Sequence, residues 1–359
     1  MATAQLRIST VIPTYNRAHL LERAIGSALA QMEHGDEVIV VDDGSTDRTE
    51  ALVRGIGDRV RYIKTTNRGA GAARNRGVLE AKNPLVAFLD SDDEWLPGKI
   101  GLQRAVMAAH PTVLFAFSDF LVQRADGVAR RRFLVHWSHD ERSWDDILGP
   151  GETVVGAGAE PAVRVHVGDL SLLEMRSAYV FTSTVIVRRE MAGGALRFAE
   201  DVKTYEDLEC FGRLALAGPA CFLDIETAIQ HGHRGSRLTD ADEIVCADAR
   251  LRILPRVWGQ DASFLRRHRA EYEETVQSDR LTRARELLNR GRVREARLDL
   301  RELKYAPRSY RLLARLPGAA VPTVLRIMRP LRVQAHAAAQ RVLAMWAPAV
   351  MVGPRRPPK

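Results

Sequence analysis

The carboxylates best able to do chemistry in this chain stand in two short runs, GDEVIVVDDGSTDRT at residues 35–49 and PLVAFLDSDDEWLP at residues 84–97. Each is an apolar, β-type segment that ends in clustered acids. Asp42 and Asp43 follow residues 38–41, and Asp90-Ser91-Asp92-Asp93-Glu94 follows residues 85–89. Four acids in five residues repel one another unless a cation or an extended, solvated backbone relieves them. Alternate carboxylates on an extended segment can be aimed at one point, which suits a hard divalent ion and the charge of a diphosphate.

The elements that must position these acids are legible as alternation. Four apolar segments, at 6–12, 38–41, 60–63 and 85–89, are separated by helical patterns such as Leu21, Ala24, Ile25, Ala28 and Leu29. This β-α-β-α-β-α-β order predicts a parallel sheet covered on both faces, with ligands at the carboxyl ends of its strands. Tyr15, Asp42, Asp43, Asp90 and Asp92 all fall at that edge. Asp47, with Glu50 three residues on, reads as an N-cap and capping box. Downstream the pattern predicts a helix through Ile100, Leu102, Val106 and Ala109, then a buried strand at 113–117. An irregular stretch follows from about 127 to 168, with Trp137 and Trp144, which reads equally as a place for acceptor contacts or as plain surface loop. A strand at 182–187 and a helix at 206–217, closed by Gly218-Pro219, complete the regular part.

At 359 residues, 46% hydrophobic and 27% charged, the chain is sized for about two domains and is globular in composition. Cys210, Cys221 and Cys246 show no CxxC spacing, so neither a disulfide scaffold nor a zinc site is implied and a reducing cytoplasm fits. The first residues lack the apolar core of a signal peptide, and no stretch reaches the roughly 18 apolar residues of a membrane span. Charge is uneven. Residues 1–240 carry 28 basic and 33 acidic side chains, net −5, and residues 241–359 carry 25 and 12, net +13. From about residue 240 the chain reads as helical and Arg-rich. Leu281, Ala284, Leu287 and Leu288 line one helix face, Gly291 interrupts, and Val293, Ala296, Leu300 and Leu303 line the next, which predicts a helical hairpin.

Taken together, VIPTYNR at 11–17, VIVVDDGSTDRT at 38–49, NRGAGAARNRG at 67–77, FLDSDDEWLP at 88–97 and YEDLECFGRLALAG at 205–218 resemble the family 2 glycosyltransferases, in that family's order and spacing. The resemblance covers about residues 5–236. It implies the α/β, Rossmann-like GT-A fold of nucleotide-diphospho-sugar transferases, a nucleotide-sugar donor, Mg²⁺ or Mn²⁺, and transfer with inversion at the anomeric carbon. Carried over by position, Thr14 and Tyr15 would hold the nucleoside base and Asp43 would accept a hydrogen bond from it. Asp90 would lie near the ribose, with Asp92 as metal ligand. Arg74, in a helix start rich in glycine and arginine, suits phosphate. Asp207 matches the family's catalytic base, and His233 falls where relatives place a residue that reaches the metal or diphosphate. The match departs from the usual pattern at Cys210-Phe211-Gly212, and a second acidic pair, Glu200-Asp201, leaves Asp201 as an alternative base. Spacing alone also leaves Glu206-Asp207 as a charged helix start favoured by the dipole.

The expectation is a GT-A domain over 1–236, its donor half about 1–100 and its acceptor half about 101–236, followed by a helical Arg-rich region over 237–359. The resemblance implies a hexosyltransferase-type enzyme of polysaccharide or cell-envelope biosynthesis. Its donor would be a nucleotide-sugar, a UDP-sugar by family frequency with dTDP- and GDP-sugars as the alternatives that relatives use, and its acceptor a glycan or lipid-linked saccharide. The basic segment with Leu325, Ile327, Met328, Leu331 and Val333 suits an anionic inner membrane surface. Nucleic acid is not expected, because the tail lacks interleaved aromatics and any recognised module. Two alternatives stay open: a non-catalytic nucleotide-sugar or glycan-binding relative, and an NAD-binding oxidoreductase. The second rests on Gly69-Ala70-Gly71, where a dinucleotide fingerprint would place its third glycine at Arg74 and would follow the first strand, not the third.

Overall fold

The computed structural model describes residues 6–124, 126–138, 142–154, 162–232 and 242–326. Its chain divides into two units, Met1–Val276 and Gln277–Lys359.

In the first unit, β1 (Ile8–Thr14), β2 (Glu37–Asp42), β3 (Val60–Lys64) and β4 (Leu85–Phe88) alternate with α1 (Ala18–Leu29), α2 (Thr49–Ile56) and α3 (Ala70–Glu80). The four strands lie parallel in the order β3-β2-β1-β4. Every residue of β1 is buried, as a central strand covered on both faces requires. Short β5 (Glu94–Trp95) leads to α4 (Lys99–Ala109) and then β6 (Phe115–Gln123), which begins two residues later than expected and runs on to Gln123.

The stretch read as irregular is made of small elements. These are β7 (Ala129–Arg130), α5 (Phe133–Ser138), α6 (Trp144–Leu148), β8 (Glu152–Val154), β9 (Val163–Gly168) and α7 (Ser171–Ser177). Trp144 stacks on Phe222 with ring centroids 3.6 Å apart, so it belongs to the core. The chain continues through β10 (Ile186–Arg188), α8 (Arg189–Ala192), α9 (Glu206–Ala217) and β11 (Ala220–His231). The sheet extends past β4 as β10-β6-β11-β9-β8, with β10 antiparallel to both neighbours and β6 parallel to β11.

The strand expected over 182–187 is in fact a 3-10 turn, Thr182–Thr184, followed by β10. Thr184 and Ser183 spend their polar groups locally and on the neighbouring loop, which favours a turn over a ladder. The capping box is half present. Asp47 accepts from Thr49 N–H at 3.0 Å and from Ala18 N–H at 3.1 Å, so it serves the starts of two helices, while Glu50 turns outward to Arg54 and Lys64.

The first unit continues beyond residue 236, the boundary expected from sequence. α10 (Glu243–Val257) and the start of α11 (Ala262–Asn289) place Ile253, Leu254, Val257, Trp258 and Phe264 in one buried cluster with Met175 and Leu208. In the second unit, Ala284, Leu287 and Leu288 of α11 and Val293, Ala296 and Leu300 of α12 (Val293–Glu302) are buried, as the hairpin pattern predicts. Gly291 turns the chain at φ +70°. α13 (Arg308–Leu313) follows. No helix among the described residues is long and apolar enough to cross a membrane.

Candidate functional site

The β1–α1 and β2–α2 turns are bolted together. Asn16 N–H donates to Ser45 Oγ at 2.8 Å, and Asn16 Oδ1 accepts from Thr46 N–H at 2.8 Å. At this edge Thr14 is 4% exposed, and its hydroxyl is buried with no hydrogen-bond partner. Tyr15 beside it is 47% exposed and presents its ring to solvent. A buried unsatisfied hydroxyl next to a free aromatic face is what a planar, polar-edged base can use.

The two aspartates that end β2 divide their labour. Asp42 is fully buried, accepting from Ser45 N–H at 2.7 Å and from the Tyr62 hydroxyl, so it is part of the scaffold. Asp43 accepts from Arg68 N–H at 2.9 Å and Gly69 N–H at 2.7 Å, which fixes the loop entering α3. Burial raises its carboxyl above the ordinary range, and those two backbone donors oppose the rise.

The loop after β4 meets α3, α9 and the 3-10 turn. Asp90 N–H donates to Ser183 Oγ at 3.1 Å, and Ser183 Oγ–H donates to Asp93 at 2.6 Å. Asp92 pairs with Arg17 at 2.8 Å, and its carbonyl accepts from Arg23 at 2.7 Å. Arg74 is buried between two carboxylates, donating to Asp90 at 2.6 Å and to Glu206 at 2.7 Å, with its guanidinium 5.2 Å from the centre of the Phe198 ring. Despite the cost of burial, those anions hold its pKa above the usual arginine range. Arg74 is thus engaged with protein anions, where the sequence reading assigned it to phosphate. Arg68 and Arg76 are likewise paired, with Glu200 and Glu80.

Gly71 makes the Arg74–Glu206 contact possible. A Cβ there would fall 2.0 Å from the carbonyl oxygen of Ala199 and 3.4 Å from Cβ of Glu206, so only glycine lets α3 come this close to the segment leading into α9. That helix starts from Tyr205, a non-glycine residue at φ +61°, a left-handed conformation of the kind found at functional sites. Next in the chain come Glu206 and Asp207. Thr182 Oγ1–H donates to Asp207 at 3.3 Å, and Leu208 N–H donates at 2.9 Å. Desolvation and neighbouring Glu206 push the Asp207 carboxyl up to about 7, with Arg74 opposing. Asp201, the alternative base, is an exposed partner of Arg256 at 2.9 Å, which holds its pKa below the usual carboxylate range.

Sequence reasoning missed Glu174. It lies in α7, which packs against α9, and its side chain is 0% exposed. One carboxyl oxygen accepts from Val180 N–H at 3.1 Å and the other has no partner. Burial and the nearby Asp207 push it up to about 8. Its place in an otherwise apolar helical stripe, after Leu172 and Leu173, was the one signal available.

His233 lies outside the described residues. Its neighbour His231 meets Glu94 at 2.8 Å, through the pairing of β5 with β11. Among the described residues no three Asp, Glu, His or Cys side chains form a ready metal cage. The donors near Asp92 are hard carboxylate oxygens, which fit Mg²⁺ or Mn²⁺ that completes its coordination with water and phosphate oxygens.

The family model "Glycosyl transferase family 2" matches residues 9–158. The chain is 31% identical over 257 residues to the succinoglycan biosynthesis protein ExoO of Rhizobium meliloti, covering 67% of this chain and 66% of that protein. It is 30% identical over 174 residues to the putative teichuronic acid biosynthesis glycosyltransferase TuaG of Bacillus subtilis, covering 47% of this chain and 67% of that one. The match spans no more than about a third of the length of the first curated relatives. Among solved structures, S. aureus TarS 1-349 in complex with UDP-GlcNAc is similar at TM-score 0.54 and 19% identity, over 82% of this chain and 88% of that one. The mannosyltransferase PcManGT of Pyrobaculum calidifontis, in complex with GDP-Man and Mn²⁺, is similar at TM-score 0.52 and 19% identity, over 96% and 88%.

Proposed function

The chain belongs to glycosyl transferase family 2, and on that premise we propose an inverting, divalent-metal-dependent enzyme that moves a sugar from a nucleotide-sugar to a hydroxyl of a glycan or lipid-linked acceptor in polysaccharide biosynthesis. The fold is GT-A and the chain is a transferase. The observation that carries the finer reading is the meeting, around Arg74 and the Thr182–Thr184 turn, of the Asp90–Asp92 loop with Asp207.

Thr14 and Tyr15 bind the base, and Asp43 fixes the wall behind it. Asp92, with Asp90, would hold Mg²⁺ or Mn²⁺, which when bound neutralises charge on the diphosphate leaving group. Asp207 accepts the proton of the acceptor hydroxyl as the new oxygen–carbon bond forms. The bond from the anomeric carbon to the phosphate oxygen breaks, and its electron pair leaves with the nucleoside diphosphate. A base near pH 7 in pKa is well matched to this step, and Thr182 orients it. Arg74 bridges Asp90 and Glu206, holding the loop after β4 and the start of α9 in register.

UDP-sugars head the donor list because the TarS complex holds one. The PcManGT complex holds a GDP-sugar on a similar fold, so the donor panel must span both. The basic C-terminal region would keep the enzyme at an anionic inner membrane surface, near a lipid-linked acceptor. The test is binding and slow hydrolysis of UDP-, GDP-, dTDP- and CMP-sugars with and without Mn²⁺ or Mg²⁺. One donor bound selectively and only with metal supports the reading, and no binding of any donor with either metal defeats it.

A further inference from the structure

We propose that the second unit docks on an anionic phospholipid surface through a face built from a repeated motif, Arg-x-x-Arg-Leu-x-x-Arg, on α12 and α13. This rests on the membrane-surface reading above and assigns the residues that make the contact. The motif occurs at Arg294, Arg297, Leu298 and Arg301, and again at Arg308, Arg311, Leu312 and Arg315. The two copies share one exposure pattern: all three arginines and the leucine of each are exposed, and the residue two before the last arginine is buried.

Helical spacing puts Arg294, Leu298 and Arg301 on one stripe of α12, away from its buried stripe of Val293, Ala296 and Leu300. On α13, Arg308 and Leu312 are likewise turned from buried Leu313, with Arg315 in the turn that follows. Leu298 is 61% exposed, Leu312 60% and Tyr305, between the copies, 91%. Burying these side chains is not required by the hairpin, since its packing is already made by the opposite stripe. Nor is charge balanced here. Two acids of α12 are engaged elsewhere, Asp299 on Arg283 at 2.8 Å and Glu295 on Arg292 at 2.6 Å. Among the described residues Arg294, Arg301, Arg308, Arg311 and Arg315 have no acidic partner.

Guanidinium forks suit phosphate oxygens, while leucine and tyrosine gain by entering the headgroup boundary. An interface for nucleic acid would use the arginines and leave the two leucines idle. That difference separates the two partners experimentally.

The test is sedimentation of the full chain with vesicles of phosphatidylcholine alone or mixed with phosphatidylglycerol, beside duplex DNA as a competing polyanion. Wild type is expected to bind the mixed vesicles and not the neutral ones. Replacing Arg294, Arg301, Arg308 and Arg315 by Gln should lower partitioning by about a thousandfold, at about 1 kcal/mol for each charge near the surface. Leu298→Ser with Leu312→Ser should lower it about tenfold or more and leave DNA binding unchanged. Both variants should keep the wild-type circular dichroism, because every changed side chain is exposed. Equal sedimentation of the Arg variant and wild type overturns the proposal, as does insensitivity of vesicle binding to the Leu variant. Metal-dependent binding of the UDP-, GDP-, dTDP- and CMP-sugar panel separates the two readings. Vesicle binding without binding of any donor strikes the transferase reading alone, and donor binding without vesicle binding strikes this one alone.

Discussion

Asp207 is costly to keep charged, and that cost has two measurable consequences. In the proposed role of base it works only when ionised, so the logarithm of kcat/KM should rise with unit slope toward a plateau above about pH 7, measured on one donor at saturating metal. For stability the sign reverses. The folded state holds protons on Asp207 and Glu174 at pH values where the unfolded chain has released them, so ν_N exceeds ν_U and stability falls as pH rises from about 4 through 8. Asp207→Asn should therefore melt about 2–4 °C above wild type at pH 8, for a gain of order 1 kcal/mol, with a smaller difference at pH 5. Differential scanning calorimetry at the two pH values decides this. Arg74 behaves in the opposite sense. Arg74→Met leaves Asp90 and Glu206 facing each other in a buried site, and a loss of about 3–5 kcal/mol is expected by denaturant titration. Little of this was readable in the sequence. The types and order of Asp43, Asp90, Asp92 and Asp207 were visible, but the inward turn of Arg74 and the burial of Glu174 arise from contacts made by residues about 130 and 30 positions apart.

The elements that carry these residues were the most legible part. Residues 38–41 and 85–89 are apolar on both faces, and a strand of that kind has no place except the middle of a covered sheet, so β2 and β4 followed directly. The helix at 206–217 was equally plain from its periodicity and its Gly-Pro end. What periodicity could not show was the 3-10 turn at Thr182–Thr184, because Thr and Val read as strand until Ser183 and Thr182 find partners on the acidic loop and on Asp207. Gly71 belongs to the glycine- and arginine-rich helix start that suits phosphate by sequence, and its role in the structure is close approach. Gly71→Ala should push α3 from the α9 start, costing about 1–3 kcal/mol in stability. Because the displaced contact sits beside Asp207, kcat should fall by more than tenfold with donor Kd within about threefold, a split seen by comparing titration calorimetry with steady-state rates.

At the scale of the molecule, charge asymmetry was written openly: an acidic sheet half and a C-terminal region at net +13. The boundary between units was not. It falls at Val276 rather than near 236, because Ile253, Leu254 and Trp258 are buried against Met175 and Leu208, contacts that local composition cannot reveal. The central claim, that donor binding at Asp92 and proton removal at Asp207 are separate tasks of one site, spans the whole first unit. It is tested most directly by measuring metal-dependent nucleotide-sugar affinity and transfer rate together for wild type, Asp92→Ala and Asp207→Asn. The account expects Asp92→Ala to lose both and Asp207→Asn to keep affinity within about threefold while transfer falls about a hundredfold to ten-thousandfold. Transfer by Asp207→Asn within tenfold of wild type, or unchanged metal-dependent affinity in Asp92→Ala, would contradict it.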